Sequence, residues 1–110
     1  MAVHDGDTLT VEFLPRRANV RLLNCWAPEV TGPQKALGLK SKSHLKSLAL
    51  DQECVVFIPY EDRYQDLTSM GRVLGFVFVN QQDLSEAQVQ AAMAAATKKD
   101  SIIMFGPVHG

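Results

Sequence analysis

The strongest constraint on the fold is the alternation of apolar and polar side chains that begins after Asp7. Three apolar residues fall on one face of this segment and three polar residues on the other: Leu9, Val11 and Phe13 against Thr8, Thr10 and Glu12. This period of two predicts a half-buried strand. Gly6 lets the backbone turn freely between Asp5 and Asp7, so a carboxylate is set at the mouth of the strand. There it can be aimed at a ligand, although acidic turn residues are more commonly only solvated turn formers.

Beyond this segment, apolar runs and apolar spacings predict three more strands and two helices: strands over 19–26, 53–59 and 72–79, and helices over 39–50 and 85–97. The strand over 53–59 is nearly continuous in apolar residues, which predicts burial on both faces or nearly so. Ser85 and Gln88 form a capping-box pattern at the start of the last helix. Four or five short strands with two packed α-helices predict a small β-barrel of the oligonucleotide/oligosaccharide-binding (OB) type.

The size and charge of the chain limit its partners. At 110 residues it is long enough for one domain with one modest core. A net charge of -1 gives no bulk positive field, so any nucleic-acid site has to be built from local arginines and lysines. No segment reaches the length of a membrane span, so no membrane is expected as a partner, and no signal peptide is recognised, which leaves the compartment open. Cys25 and Cys54 lie in apolar runs and are predicted to be buried free thiols.

Three groups of charged residues are candidates for binding. Arg21 lies in an apolar strand, where its charge needs an anion, either a ligand or a neighbouring carboxylate in a structural pair. Glu29 follows Pro28 at a stiff corner just past the same strand. The lysines around the first helix form a basic cluster, which serves either as a nucleic-acid contact or only as a solvated face: Lys35, Lys40, Lys42 and Lys46.

Five short motifs follow one another along the chain: Asp5-Gly6-Asp7-Thr8, Val20-Arg21-Leu22, Ala27-Pro28-Glu29, Asp62-Arg63-Tyr64 and Gly71-Arg72. In this order, and with the predicted strands and helices around them, they resemble the staphylococcal nuclease (thermonuclease) family over residues 3–97. The resemblance implies a five-stranded Greek-key barrel with packed helices, and calcium-dependent hydrolysis of phosphodiester bonds in DNA and RNA. It also implies a domain over residues 1–98, followed by a tail over 99–110 that lacks the family's last helix.

The resemblance further implies a role for each matching residue. Arg21 and Arg72 would bind the phosphate and stabilise the charge that grows on its oxygens, and Glu29 would act as general base for the attacking water. The implied calcium ligands are Asp7, Asp5 and the carbonyl group of Ala27. The implied substrate-binding residues are Tyr64, Lys35 and Lys42. This set is chemically coherent, because two guanidinium groups and a divalent cation oppose the charge of a phosphodiester while a carboxylate activates water.

Three departures from the family pattern bear on these expectations. Trp26 stands where the family has its second calcium-ligating aspartate and cannot bind a hard cation, so we expect weak calcium binding. Residues 65–70 are inserted between Tyr64 and Gly71, and we expect them to form a mobile surface loop. The apolar residues 102–105 of the tail are expected to dock on the barrel or on a neighbouring chain.

Three functions therefore stay open. The first is a metal-dependent nuclease, an endonuclease of thermonuclease type that acts on DNA or RNA. The second is a nuclease-fold module that binds nucleic acid through Arg21, Arg72 and the lysine helix but cuts slowly or not at all. The third is a barrel for protein interaction, in which the charged residues only satisfy one another. The intact residues Arg21, Glu29 and Arg72 favour the first function, whereas Trp26 favours the other two. The sequence leaves the oligomeric state open.

Overall fold

The structure of the protein is a computed structural model, which describes residues 2–13, 16–59 and 72–106. Its strands are β1 (Ala2–Asp5), β2 (Thr8–Phe13), β3 (Arg16–Leu22), β4 (Val55–Phe57), β5 (Arg72–Val79) and β6 (Gln82–Asp83). Its helices are α1 (Lys35–Ala49), α2 (Leu84–Gln90) and α3 (Lys98–Phe105), and a short 3₁₀ turn over Gly32–Gln34 leads into α1. No helix of these ranges is long and apolar enough to cross a membrane.

The strands form one mixed sheet in the order β1-β2-β3-β5-β4, with the two-residue β6 beside β5. Four of the pairings are antiparallel, namely β1–β2, β2–β3, β4–β5 and β5–β6, whereas β3 and β5 run parallel, with Arg21 opposite Leu74. A parallel pair needs a crossover, and α1 together with β4 lies in that connection. This mixed sheet of five main strands confirms the predicted OB-type fold, with a third helix added to the two that were predicted.

The core is built from the inward faces of the strands and from one side of α1 and α2. Its buried apolar residues are Leu9, Val11, Val20, Leu22, Cys25, Leu45, Ala49, Val73, Val77, Val79, Leu84 and Ala94. The alternation after Asp7 is confirmed, since Leu9 and Val11 are inside while Glu12 is exposed. Each fully buried leucine contributes about 1.5–3 kcal/mol relative to an exposed one. Both cysteines are free thiols as predicted, Cys25 buried and Cys54 half-buried.

The strand predicted over 53–59 is shorter and lies at an edge of the sheet. β4 pairs with β5 alone among the described strands, and its outer face is open: Val55 is 67% exposed and Phe57 is 56% exposed. Phe57 stacks on Phe76 of β5, with ring centroids 6.4 Å apart. The prediction of burial on both faces is therefore wrong. An apolar run alone does not distinguish a central strand from an edge strand whose outer face is apolar.

The helices also differ from their predicted bounds. α1 begins at Lys35, four residues before the predicted start. In its first turn Gly38 lies against the backbone at Glu29, where any Cβ would overlap the carbonyl group of Glu29. α2 ends at Gln90, seven residues before the predicted end, and Ala92 has a left-handed φ of 59°. The capping residue of α2 is Asp83, whose carboxylate accepts the backbone N–H of Ser85 at 2.9 Å.

The tail contains a helix where the sequence analysis expected none. α3 is capped before its first residue by Thr97, whose hydroxyl oxygen accepts the N–H of Asp100 at 3.1 Å, and after its last residue by Gly106, with a φ of 87°. Its apolar side chains do not dock on the barrel of this chain: Ile103 is 73% exposed, and Ile102 and Met104 are about half exposed. The inserted residues 65–70, predicted to form a mobile loop, lie outside the described residues.

Candidate active site

The turn between β1 and β2 is pressed against α1, and this contact requires a glycine. A Cβ at Gly6 would overlap the Ser41 side chain and come within 2.7 Å of the Ala27 Cβ. The Asp5 carboxylate closes the turn by accepting the backbone N–H of Asp7 at 3.0 Å. The sequence predicted a glycine that turns freely here. The φ of Gly6 is not in the left-handed region, so the close approach of a helix is what requires glycine.

A buried polar network behind the turn fixes its position. The fully buried Gln88 of α2 donates from Nε2 to the carbonyl groups of Gly6 at 2.8 Å and Ser41 at 3.1 Å. Its Oε1 is bonded to Nδ1 of His44, and the hydroxyl of Ser41 donates to the carbonyl of Met93 at 2.6 Å. Sequence reasoning missed this network and assigned Gln88 to a cap. The one feature of the sequence that could have indicated this network is a glutamine among the apolar positions of an alanine-rich helix.

Asp7 is buried at the end of β2, and both of its carboxylate oxygens have partners. Oδ1 accepts the hydroxyl of Thr8 at 3.1 Å, while Oδ2 accepts the N–H of Ala27 at 2.9 Å and lies 3.5 Å from Nη2 of Arg21. The pKa of Asp7 is raised to about 7, first by burial and then by the hydrogen bond and negative charge of Asp5, against the lowering effects of Arg21 and the Ala27 N–H. Asp7 therefore joins three segments of the chain around one buried carboxyl group.

Arg21 is fixed from three directions. Its Nη2 pairs with Asp7, its Nη1 donates to the carbonyl of Leu22 at 3.0 Å, and its Cζ lies 4.2 Å from the centroid of the Trp26 ring. The two side chains of the ion pair are only 13% and 11% exposed. The structural pairing that the sequence left open is therefore present. Binding of a further anion by Arg21 stays a prediction, and the rigid guanidinium is a suitable group for it.

Trp26 occupies the position at which the family resemblance implied a second acidic ligand. Its backbone forms a bridge to Ala95, with N–H···O distances of 2.7 and 3.0 Å in the two directions. The indole is half-buried and is approached on its rings by Arg21 and, at 6.0 Å from the centroid, by Nζ of Lys98 in the first turn of α3. Two positive charges thus converge on the side chain that replaces an expected negative one.

Glu29 lies at the predicted corner with its side chain exposed. Its backbone N–H donates to Oε1 of Gln34 at 2.9 Å. The buried amide of Gln34 donates in turn to the carbonyl groups of Phe105 at 3.3 Å and Gly106 at 2.7 Å. Together with Gly38 beneath its carbonyl group, these contacts hold the Glu29 backbone between the start of α1 and the end of α3.

The remaining predicted residues are placed only in part. The backbone of Arg72 pairs with Asn19, two residues before Arg21 in the neighbouring strand, and the position of Tyr64 lies outside the described residues. Lys35 is exposed and Lys42 half-buried on α1. Within the described part of the chain, neither lysine forms an ion pair with the acidic turn. The structure therefore brings together Asp5, Asp7, Arg21 and Ala27, with Trp26 over the arginine.

This donor set does not fit a resident calcium ion. Calcium takes about six to eight oxygen ligands, and carboxylates supply the charge. Both oxygens of Asp7 are already hydrogen-bonded, Oδ1 of Asp5 accepts the N–H of Asp7, and the indole of Trp26 offers no oxygen. Across residues 2–13, 16–59 and 72–106, no group of three or more Asp, Glu, His or Cys side chains is arranged to hold a metal ion.

A cavity of about 620 Å³ lies elsewhere, beside β2 and the segment that leads into β4. Its lining is mostly acidic or apolar and includes none of the residues around Arg21: Val11, Glu12, Asp51, Gln52, Glu53, Cys54 and Val56. Acidic walls repel a polyanion, so this cavity does not extend a phosphate site.

Comparison with known proteins gives one match. Residues 19–103 match the family model described as "Staphylococcal nuclease homologue". The match includes Arg21, Trp26, Glu29 and Arg72 and ends inside α3, whereas Asp5 and Asp7 precede its first residue. No curated protein matches the chain.

Proposed function

This chain belongs to the staphylococcal nuclease family, and from that premise we propose that it is a nuclease-fold module that binds the phosphate backbone of DNA or RNA through Arg21 and Arg72. The observation that supports the proposal most directly is the three-way fixation of the Arg21 guanidinium by Asp7, Leu22 and Trp26. A guanidinium held in place loses little further entropy when it binds an anion.

Arg21 retains capacity for such an anion. A guanidinium carries five N–H donors. The hydrogen bonds of Arg21 in this structure run to two acceptors, Leu22 and Asp7. Because the side chain is 13% exposed, a bound phosphate would be only partly screened by water. Arg72 adds a second arginine on the parallel strand next to Arg21, at the backbone register given by Arg21 and Leu74.

Metal-dependent hydrolysis of the bound phosphodiester is a second candidate function, and Glu29 favours it. Its carboxylate is exposed while its backbone is held at both sides, which suits a general base that has to reach a water molecule. Since the acidic residues do not fit resident calcium, we expect cleavage only at high concentrations of free divalent cation. In this candidate Arg21 and Arg72 would stabilise the charge that develops on the phosphate oxygens.

A binding assay tests the first proposal. Labelled single-stranded DNA and RNA are titrated with protein in the presence of chelator, and fluorescence anisotropy is measured. Arg21→Gln should weaken binding about tenfold, because it removes a charge-assisted, two-point phosphate contact. Arg17→Gln is the matched control, since Arg17 is exposed and pairs only with Glu12 at 3.4 Å. Equal losses in the two variants, or no binding by the parent protein, would contradict the proposal.

A cleavage assay separates the two candidates. Plasmid and single-stranded DNA are incubated with calcium, magnesium, manganese or chelator and examined on gels. Cleavage that needs a divalent cation, and that slows about 10²–10⁴-fold in Glu29→Gln, would make hydrolysis the function. Binding without cleavage in every condition would leave the binding module. Binding of neither nucleic acid would favour a protein-interaction role for the domain.

A further inference from the structure

Trp26 is the point at which two cations from distant parts of the chain meet. Cζ of Arg21, from β3, lies 4.2 Å from its ring centroid, and Nζ of Lys98, from α3, lies 6.0 Å from it. The Trp26 backbone is bonded in both directions to Ala95, which fixes the position of the residue in the fold. Both positive groups lie within 6.0 Å of the centroid of this one ring.

The two carboxylates at this place are both held within the turn and the ion pair. Asp5 accepts the N–H of Asp7 at 3.0 Å, and Asp7 pairs with Arg21 at 3.5 Å. For Lys98, no carboxylate lies within salt-bridge distance in the part of the chain that the structure describes. An anion bound beside the indole would offset the charge of Lys98, whereas a metal cation there would add to it.

We propose that Arg21, Trp26 and Lys98 form a phosphate-binding site that works without a divalent cation. Lys98 supplies the positive charge that a metal ion would otherwise bring, and the indole of Trp26 positions both cationic groups. The inference rests on the proposed function, because Arg21 is the phosphate-binding residue in both. It goes further in assigning Lys98 to the site and in naming Trp26 as a positioning residue, not merely a lost metal ligand.

One residue accounts for two changes at this site. A tryptophan at position 26 takes away an oxygen ligand for a cation, and the same side chain provides an aromatic surface for Arg21 and Lys98. An ammonium group beside Trp26 would repel a hard cation bound nearby, so Lys98 disfavours a metal ion there. Cation-independent phosphate binding is therefore the expected property of the site.

The test uses Trp26 itself, which is the only tryptophan of the chain. Its fluorescence is followed while the full protein is titrated with inorganic phosphate, and separately with a short single-stranded oligodeoxythymidylate, both in excess chelator. We expect a saturable change in emission, since both ligands would bind beside the indole. Lys98→Gln should weaken oligonucleotide binding about tenfold, the equivalent of one charge-assisted phosphate contact.

Lys99→Gln is the matched control, because it removes the same charge one residue away from an exposed position. It should change the affinity less than about twofold, and the slope of log K against log salt should fall by about 0.7 in Lys98→Gln relative to the control. Trp26→Leu should weaken phosphate binding measured by calorimetry even with Lys98 present, as a positioning role requires.

The possible outcomes distinguish a failure of this inference from a failure of the proposed function on which it rests. Equal effects of Lys98→Gln and Lys99→Gln would overturn the inference and leave Arg21-dependent binding in place. Binding that appears only when calcium or magnesium is added would also overturn it. Binding of neither probe, with or without cations, would overturn the proposed function and this inference together.

Discussion

Two carboxylates of this domain, Asp7 and Glu29, come from neighbouring parts of the site and have opposite surroundings. Asp7 is buried, has partners on both oxygens and has a raised pKa of about 7. Glu29 is exposed, and the structure holds it only through its backbone. The difference teaches that two carboxylates matched to one family pattern can be held by the fold in very different ways. Asp7 joins segments of the fold, whereas the side chain of Glu29 faces solvent.

The largest expected effect comes from moving the turn that carries Asp7. Gly6→Ala should lower the free energy of unfolding by about 3 kcal/mol, because the added methyl group overlaps Ser41 and Ala27 and forces the turn off α1. Gly32→Ala is the control: nothing lies within 4 Å of its Cβ, and only its φ of 70° is unfavourable, at a cost of about 1 kcal/mol. Urea denaturation measures both. Similar losses in the two variants would show that the turn does not depend on this contact.

The next effect concerns the ionisation of Asp7. Folded, the carboxyl group keeps its proton up to about pH 7, whereas the unfolded chain releases it near pH 3.8. Between these values the folded state binds more protons, so the free energy of unfolding should fall as the pH rises through this window and then level off. We expect a loss of roughly 2 kcal/mol over this window.

Asp7→Asn isolates this contribution from that of the other carboxylates. The variant cannot ionise at position 7, so its stability should depend less on pH than that of the parent, and the two curves should draw apart from acid to neutral pH. Thermal melts at five or six pH values across the window would measure the difference. Parallel curves for parent and variant would mean that the burial of Asp7 does not disfavour its charge.

A smaller effect is expected from restoring the missing acidic ligand. Trp26→Asp should tighten calcium binding about tenfold, equivalent to 1.4 kcal/mol, because each added anionic ligand strengthens the attraction of a hard cation. With a second carboxylate at position 26, Asp7 would take part in binding calcium in addition to joining segments of the fold. Isothermal calorimetry with calcium measures the change, and Trp26→Asn is the uncharged control. Equal calcium affinities in the two variants would contradict this expectation.

The smallest effect on stability is expected at Glu29. Glu29→Gln should change the free energy of unfolding by less than about 0.5 kcal/mol, since the side chain is exposed and the Gln34 contact involves only the backbone. Differential scanning calorimetry measures this. A large loss would show that Glu29, like Asp7, has a structural role, and the contrast between the two carboxylates would disappear.

The parts of the fold that follow local rules could be predicted from the sequence. Alternation over residues 8–13 gave β2 and its inward Leu9 and Val11, because the period of a strand is set by the backbone. The glycine between Asp5 and Asp7 gave the turn. The weak calcium binding expected from Trp26 stays a prediction, which rests on the absence of an oxygen ligand in an indole.

The rest depends on contacts between distant segments, which local patterns do not contain. β4 is an edge strand because no described strand pairs with its outer side, a fact of topology and not of its apolar composition. Gln88 is buried because Gly6, Ser41 and His44 from other elements meet it. Lys98 reaches Trp26 through the short helix α3, where the sequence predicted a tail without a helix.

The side chain of Gln34 has a consequence for how the domain can be altered. One amide group touches the backbone of Glu29 on one side and the last carbonyl groups of α3 on the other. The C-terminal end of the described chain is therefore connected through the Gln34 amide to the corner that presents Glu29, although 71 or more residues separate Gln34 from those carbonyls. We expect a tag, a fused domain or a tether attached after Gly106 to disturb that corner. Shortening the chain before Phe105 would remove both of these hydrogen bonds from Gln34 and leave the corner less restrained.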